Sequence, residues 1–298
     1  MPGDLTTRTG NQGSAGLPAE AGGIPLLLSD LEFTDLYISE SGKVLIRGVD
    51  DADGPLTEVP PEVVEDLGEL QIAVMSRGQD RGDREFFVDY DGVRYRVSRI
   101  DDLSGVWYTL RKSKTRIPRL VELGGFAPPV LRHLGVLGNR SGLLLIAGAT
   151  GQGKTTTACS LLREYMLHFG DIAVTIEDPP EMHLSGQHGN FGRCFQLKLE
   201  RGETFGSALV SALRYTPRYI LIGEIRKPED AREVLRAAIS GHLVISTIHA
   251  GSIEEAINSL VKLTASGDST AEFARDMLAN GLAGVIHQKL VRTRGKRM

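Results

Sequence analysis

The sequence predicts an α/β core built around a phosphate-binding loop, preceded by a smaller α+β domain. Three observations predict this. Gly148-Ala149-Thr150-Gly151-Gln152-Gly153-Lys154-Thr155 sits between an apolar strand and a helical pattern. From residue 142 onward, short apolar segments alternate with helical patterns, as in a largely parallel sheet. Residues 84–111 instead hold three β-rich runs close together, as in an antiparallel meander.

Taken in order, residues 1–23 are rich in glycine and small polar residues and are expected to be a disordered tail. Residues 24–115 read as the small α+β domain. Strands are expected over 33–38 and 43–47 around the turn Glu40-Ser41-Gly42. Pro60-Pro61 suits a helix start, and Val63, Val64, Leu67, Leu70 and Val74 keep helical spacing after it. Runs 84–90 and 93–100 flank Asp91-Gly92, a dipeptide that tolerates positive φ at both turn positions and so favours a two-residue hairpin. A third strand follows over 105–111.

Residues 116–141 form a connector with short helices over 118–123 and 128–137, each stopped by glycine. The second domain, 142–298, is expected to run through strands 143–147, 172–176, 219–222 and 243–247. Helices 154–168, 204–215 and 228–239 fall between them, and helices 252–265 and 270–283 and a strand over 285–292 follow.

Composition narrows the function classes. The 298 residues are 41% apolar, enough for two domains. A net charge of −4 gives no global basic field, so no direct nucleic-acid binding is expected. The basic cluster Lys289, Arg292, Arg294, Lys296 and Arg297 reads as a solvated tail. Cys159 and Cys194 make neither a disulfide framework nor a metal motif. The longest strictly apolar run, 143–147, is far short of the ~20 residues that span a bilayer. With no signal-peptide pattern, a cytoplasmic protein is expected, peripheral to the membrane where it associates with one.

The loop carries the chemistry. Its glycines let backbone N–H groups surround phosphate oxygens, and the following helix turns its positive end on them. Lys154 is placed to reach the β- and γ-phosphates, and Thr155 to offer its hydroxyl to Mg²⁺. Gly148 through Thr156 are therefore the expected ATP-binding residues.

Ligands of such sheets sit at the carboxyl ends of the strands. There the sequence places Glu177-Asp178 after 172–176, Gly223-Glu224-Ile225-Arg226 after 219–222, and Ile248-His249 after 243–247. Alone, each reads as a loop carboxylate or a structural histidine. Together they make a hydrolysis constellation. Glu224 is the first candidate to polarise the attacking water and to serve the Mg²⁺ shell, with Glu177 second. His249 is placed to hydrogen-bond the γ-phosphate, and Arg226 either forms an ion pair or contacts the transition state.

The order and spacing of four segments resemble the type II/type IV secretion system ATPases. The stretch 142–157 resembles their Walker A segment, and Thr175-Ile176-Glu177-Asp178-Pro179-Pro180-Glu181 their aspartate box. Leu221-Ile222-Gly223-Glu224-Ile225-Arg226 resembles their atypical Walker B box, and 241–250 their histidine box. In organisation the chain is similar to the PilT-like and DotB/TraJ conjugation branches.

The resemblance implies a RecA-like core, a PAS-like N-terminal domain and a homo-hexameric ring working with inner-membrane components of a secretion or pilus machine. It also implies that arginines of the upstream meander reach the nucleotide, which on this sequence points to Arg96 and Arg111. Departures are Tyr37 where the family has histidine, Arg218 before the Walker B strand, and Arg226-Lys227 after Glu224. No tetracysteine insert is present. The motif associated with pilus retraction does not occur before Met298, so a retraction motor is not expected.

Two other readings share the loop. One is a nucleotide-dependent assembly factor that binds ATP with little turnover. The other is a small-molecule kinase, which would need an acceptor pocket and an arginine-rich lid.

Overall fold

The structure, a computed structural model, describes residues 28, 31, 33–49, 54–59, 61–80, 84–113, 116–199, 202–266, 270–293 and 296–297. The expected tail at 1–23, Pro60 and Arg294 lie outside the described residues. So do the side chains of Val64, Arg292, Lys296 and Arg297. The chain divides into two compact units, Met1–Ser113 and Lys114–Met298.

The first unit is a six-stranded antiparallel sheet in the order β3-β2-β1-β6-β5-β4. Its strands are β1 (Asp35–Ser39), β2 (Val44–Arg47), β3 (Leu56–Glu58), β4 (Glu85–Tyr90), β5 (Val93–Asp102) and β6 (Gly105–Lys112). Helix α1 (Pro61–Asp80) buries Val63, Leu67, Leu70 and Val74 in one core with Leu36, Ile38, Val97 and Leu110. That 4-3-4 spacing makes one helical stripe, and each fully buried side chain contributes about 1.5–3 kcal/mol. The β4–β5 turn forms at Asp91-Gly92, with φ 46° and 70°, as the dipeptide predicts. Strand β3 is not anticipated by the sequence pattern. It has only three residues, and its place comes from pairing with β2 (Ile46 opposite Thr57).

The second unit centres on a seven-stranded sheet, β13-β7-β12-β11-β8-β10-β9, parallel except for the edge strand β9. Its strands are β7 (Gly142–Ala147), β8 (Asp171–Glu177), β9 (Gly186–His188), β10 (Gly192–Lys198), β11 (Tyr219–Ile222), β12 (Leu243–Ile248) and β13 (Leu282–His287). Alternation along β7 splits the core. Leu144 and Ile146 pack with α3 (Lys154–Phe169) and α2 (Pro128–Leu137), together with the buried Cys159. Leu143 and Leu145 pack on the other side with α4 (Phe205–Ala212), α5 (Pro228–Ile239), α6 (Ile253–Thr264) and α7 (Ala271–Gly281). Helices thus cover both faces, which explains why the central strands are apolar throughout.

Three sequence expectations need correction here. Strands β9 and β10 were not expected, because Gly-Gln-His and Gly-Arg-Cys-Phe-Gln lack a continuous apolar signal. They are set by long-range pairing, with β10 running parallel to β8 from Gly192 opposite Asp171 to Lys198 opposite Glu177. The last strand lies at 282–287 rather than 285–292, since pairing with β7 begins at Leu282 opposite Leu143 and absorbs a bulge before Gly284. The helix expected over 204–215 ends at Ala212 and tightens into a 3-10 turn over Leu213–Tyr215, with Thr204 as its N-cap. A two-residue pair, β14 (Arg292–Thr293) with β15 (Lys296–Arg297), completes the described elements. No helix among the described residues is long and apolar enough to cross a membrane.

Candidate functional site

Strand β7 ends at Ala147, and the chain turns through 148–153 into α3. Gly151 and Gly153 adopt φ of 74° and 81°, a left-handed backbone that favours glycine. The first N–H groups of α3 have no intrahelical partner and converge on the loop. A cavity of about 480 Å³ opens here. It is lined by 150–156 of the loop and α3, by Glu177, Asp178 and Glu181, and by Glu224, Arg226 and His249. Every lining residue belongs to the second unit.

The ends of β8, β11 and β12 bring Glu177, Glu224, Arg226 and His249 to this cavity. Residues 223–225 are pinned between neighbouring strands. Gly223 N–H donates to the Ile176 carbonyl (3.0 Å) and Ile225 N–H to the Thr247 carbonyl (3.0 Å). The Thr247 hydroxyl donates to the Gly223 carbonyl (2.7 Å). This holds Glu224 rigidly at the cavity wall.

Lys154 is 7% exposed, and its Nζ donates to the carbonyls of Gly148 (2.9 Å) and Ala149 (3.1 Å). Burial lowers the pKa of Lys154, partly offset by the carboxylates of Glu224 and Glu181. Nζ also lies 3.4 Å from His249 Nδ1, and His249 Nε2 lies 3.1 Å from Glu224 Oε1. An ammonium can only donate, so Nδ1 accepts and Nε2 carries the proton that faces Glu224. Arg226 donates from Nε (2.9 Å) and Nη2 (2.7 Å) to Glu224 Oε2. Both oxygens of Glu224 are therefore engaged, one by histidine and one by arginine. The hydrogen bond to Glu224 raises the pKa of Arg226.

Glu177 differs in character. It is 2% exposed, and burial raises its pKa although Gln196 donates to its Oε1 (2.9 Å). The same Gln196 amide holds the 182–184 loop through the Met182 carbonyl (2.7 Å) and the Leu184 N–H (3.1 Å). Gln196 lies on β10, so reading the sequence without that strand misses it. Glu181, also on the wall, follows the same strand end as Glu177.

The wall carries four carboxylates (Glu177, Asp178, Glu181, Glu224) against Lys154 and Arg226. Added phosphate charge makes a divalent cation the natural complement. Among the described residues no three His, Cys, Asp or Glu side chains converge on a metal by themselves.

Arg96 and Arg111, expected at the nucleotide, lie in the first unit. They stand opposite each other on β5 and β6. Arg111 Nε donates to Asp35 (2.8 Å) and Arg96 to Glu85 (3.1 Å). Both border a small recess of about 270 Å³ with Ser98 and Thr109.

A family model described as "Type II/IV secretion system protein" matches residues 81–297. The chain belongs to the type II/IV secretion system protein family. It is 35% identical over 215 residues to the uncharacterized protein YggR of Escherichia coli K12, covering 71% of this chain and 63% of YggR. It is 34% identical over 235 residues to the type IV pilus assembly ATPase PilB of Thermus thermophilus, covering 77% of this chain and 24% of PilB. The chain thus spans less than two thirds of the length of either relative. A crystal structure of the pilus retraction motor PilT with bound ADP superposes with a TM-score of 0.74 at 28% identity, covering 90% of this chain and 78% of PilT. This secretion-family chain has the RecA-like P-loop core, with a smaller α+β unit ahead of it.

Proposed function

We propose that this chain is an ATP hydrolase of a secretion, conjugation or type IV pilus machine. The observation that carries the reading is the unbroken polar chain from the phosphate-loop lysine to a strand-end carboxylate: Lys154, His249, Glu224. The chain borders one cavity with the loop and the α3 N-terminus. Backbone N–H groups of 150–156 bind the phosphates, and Lys154 exchanges its carbonyl partners for β- and γ-oxygens. Glu224 orients a water and accepts its proton as the water oxygen attacks the γ-phosphorus and the bond to the β-phosphate oxygen breaks. His249 donates Nε2–H to Glu224 and holds its carboxylate in line. Thr155 would hold Mg²⁺, with Glu224 in the surrounding shell, and the ion when bound neutralises charge on the phosphate oxygens.

Further parts of the reading rest on the family. The chain works as a homo-hexamer at the inner face of a membrane machine, and its moving cargo is protein, DNA or pilin. The domains are 24–115, a connector over 116–141, and 142–298, with Arg96 and Arg111 supplied to the nucleotide of a neighbouring subunit. The wall's need for extra positive charge supports this last point. Lys154→Ala tests the central reading: ADP binding and phosphate release should both fall by more than about tenfold. Normal turnover in that variant would sink the assignment. Size analysis with and without ATP and Mg²⁺ tests the ring.

A further inference from the structure

The chain beyond β13 runs back along the phosphate loop. Gln288 N–H donates to the Ala147 carbonyl (2.8 Å), extending the β13–β7 ladder to the point where the loop begins. The Gln288 side chain then uses both ends of its amide. Its Oε1 accepts from the Thr157 hydroxyl (2.7 Å), in the first turn of α3 and 1% exposed, and its Nε2 donates to the Gln152 carbonyl (2.7 Å). Two residues on, Leu290 N–H donates to Gln152 Oε1 (2.7 Å). The approach is close enough to exclude side chains. A Cβ on Gly148 would fall 2.5 Å from the Gln288 carbonyl oxygen.

The bond to the Gln152 carbonyl has a consequence for the site. That carbonyl and the N–H of Gly153 belong to one planar trans peptide, so they point in opposite directions. Tying the carbonyl to Gln288 turns the Gly153 N–H away from the 288–290 segment. Gly153 borders the phosphate cavity.

We propose that Gln288 is a positioning residue for phosphate binding, and that 288–290 forms a strap that sets the orientation of the loop's amides. The proposal rests on the phosphate-binding reading of the loop. The strap joins the end of β13, the middle of the loop and the first turn of α3.

The test is ADP titration of the full chain by calorimetry, with amide hydrogen exchange alongside. Gln288→Leu keeps the side-chain bulk and removes both hydrogen bonds. Gln288→Glu keeps the acceptor for Thr157 and removes the donor to Gln152. Gln288→Glu should raise the ADP Kd by about tenfold, the worth of the one hydrogen bond it loses, and Gln288→Leu, which loses two, by at least as much. Their melting temperature without nucleotide should stay within a few degrees of wild type. In wild type, ADP should slow exchange at Gly153 and Leu290, and this slowing should be lost in both variants. Gln152→Ala leaves Gln288 in place and removes only the Leu290 acceptor. It should release the Leu290 amide and raise Kd about threefold, which covers the case of a Gln288 variant that does not fold. ADP affinity within twofold of wild type in Gln288→Glu or Gln152→Ala, with ADP still slowing exchange, overturns the proposal. A wild-type chain that binds no ADP overturns the phosphate-loop reading and the strap with it.

Discussion

Replacing Glu224 by glutamine separates chemistry from architecture more sharply than any other change. The cost to stability is small and can be worked through. Glu224 meets Arg226, whose side chain is 67% exposed, and an ion pair this open to solvent contributes at most about 1 kcal/mol. A glutamine carbonyl turned toward Arg226 sets its amide N–H against the His249 N–H, losing one further hydrogen bond of about 0.5–1.5 kcal/mol. The sum, about 1–2 kcal/mol, lowers Tm by only a few degrees in a unit of this size. Loss of the proton acceptor costs turnover about 10²–10⁴-fold, or about 3–5 kcal/mol of barrier. Steady-state phosphate release and ADP titration on one preparation should therefore show a collapsed kcat with ADP affinity nearly unchanged. A kcat within threefold of wild type would refute Glu224 as the acceptor. A large loss of ADP affinity with kcat preserved would mean that Glu224 serves binding instead.

Other perturbations test the surrounding structure. Glu177→Gln should change the pH dependence of stability. Burial raises the folded pKa of Glu177, so its contribution is fully present below the ordinary carboxylate range and is lost as pH rises through that raised value. The glutamine variant lacks this slope, and its urea midpoint should gain on wild type from pH 4 to pH 8. Leu221→Ala, in the middle of β11 and 1% exposed, should cost about 2–5 kcal/mol by urea unfolding, with the phosphate loop's own residues untouched. Arg111→Ala leaves the Asp35 carboxylate, 5% exposed, without its partner and should cost about 1–3 kcal/mol. Arg96→Ala, whose partner Glu85 is 41% exposed, should cost under about 1 kcal/mol, and equal effects of the two changes would contradict the burial argument.

Much of the fold was legible because its signals are local. The Asp91-Gly92 turn, the α1 stripe and the strand–loop–helix passage through Lys154 are each written within a few residues of chain. Strands β3, β9 and β10 were not, since their short or polar sequences become strands only by pairing with distant partners. The same division runs through the site. Glu177, Glu224 and His249 could be found from the rule that ligands gather at strand ends. Arg226 takes one Glu224 oxygen from two residues along the same strand end, a local pairing, whereas His249 takes the other only because two strand ends meet.

By itself, then, the sequence determined a phosphate loop, the residue types that surround it and the order in which strands would deliver them. Those features follow from backbone preference and periodicity, which act over a few residues. Only the tertiary structure decided that Lys154 rests on the carbonyls of its own loop, that Gln196 braces Glu177, and that Gln288 closes on Gln152 from 136 positions away. The last two join segments far apart in sequence, brought together by strand register, which is settled by burying one continuous core rather than by any residue's own preference.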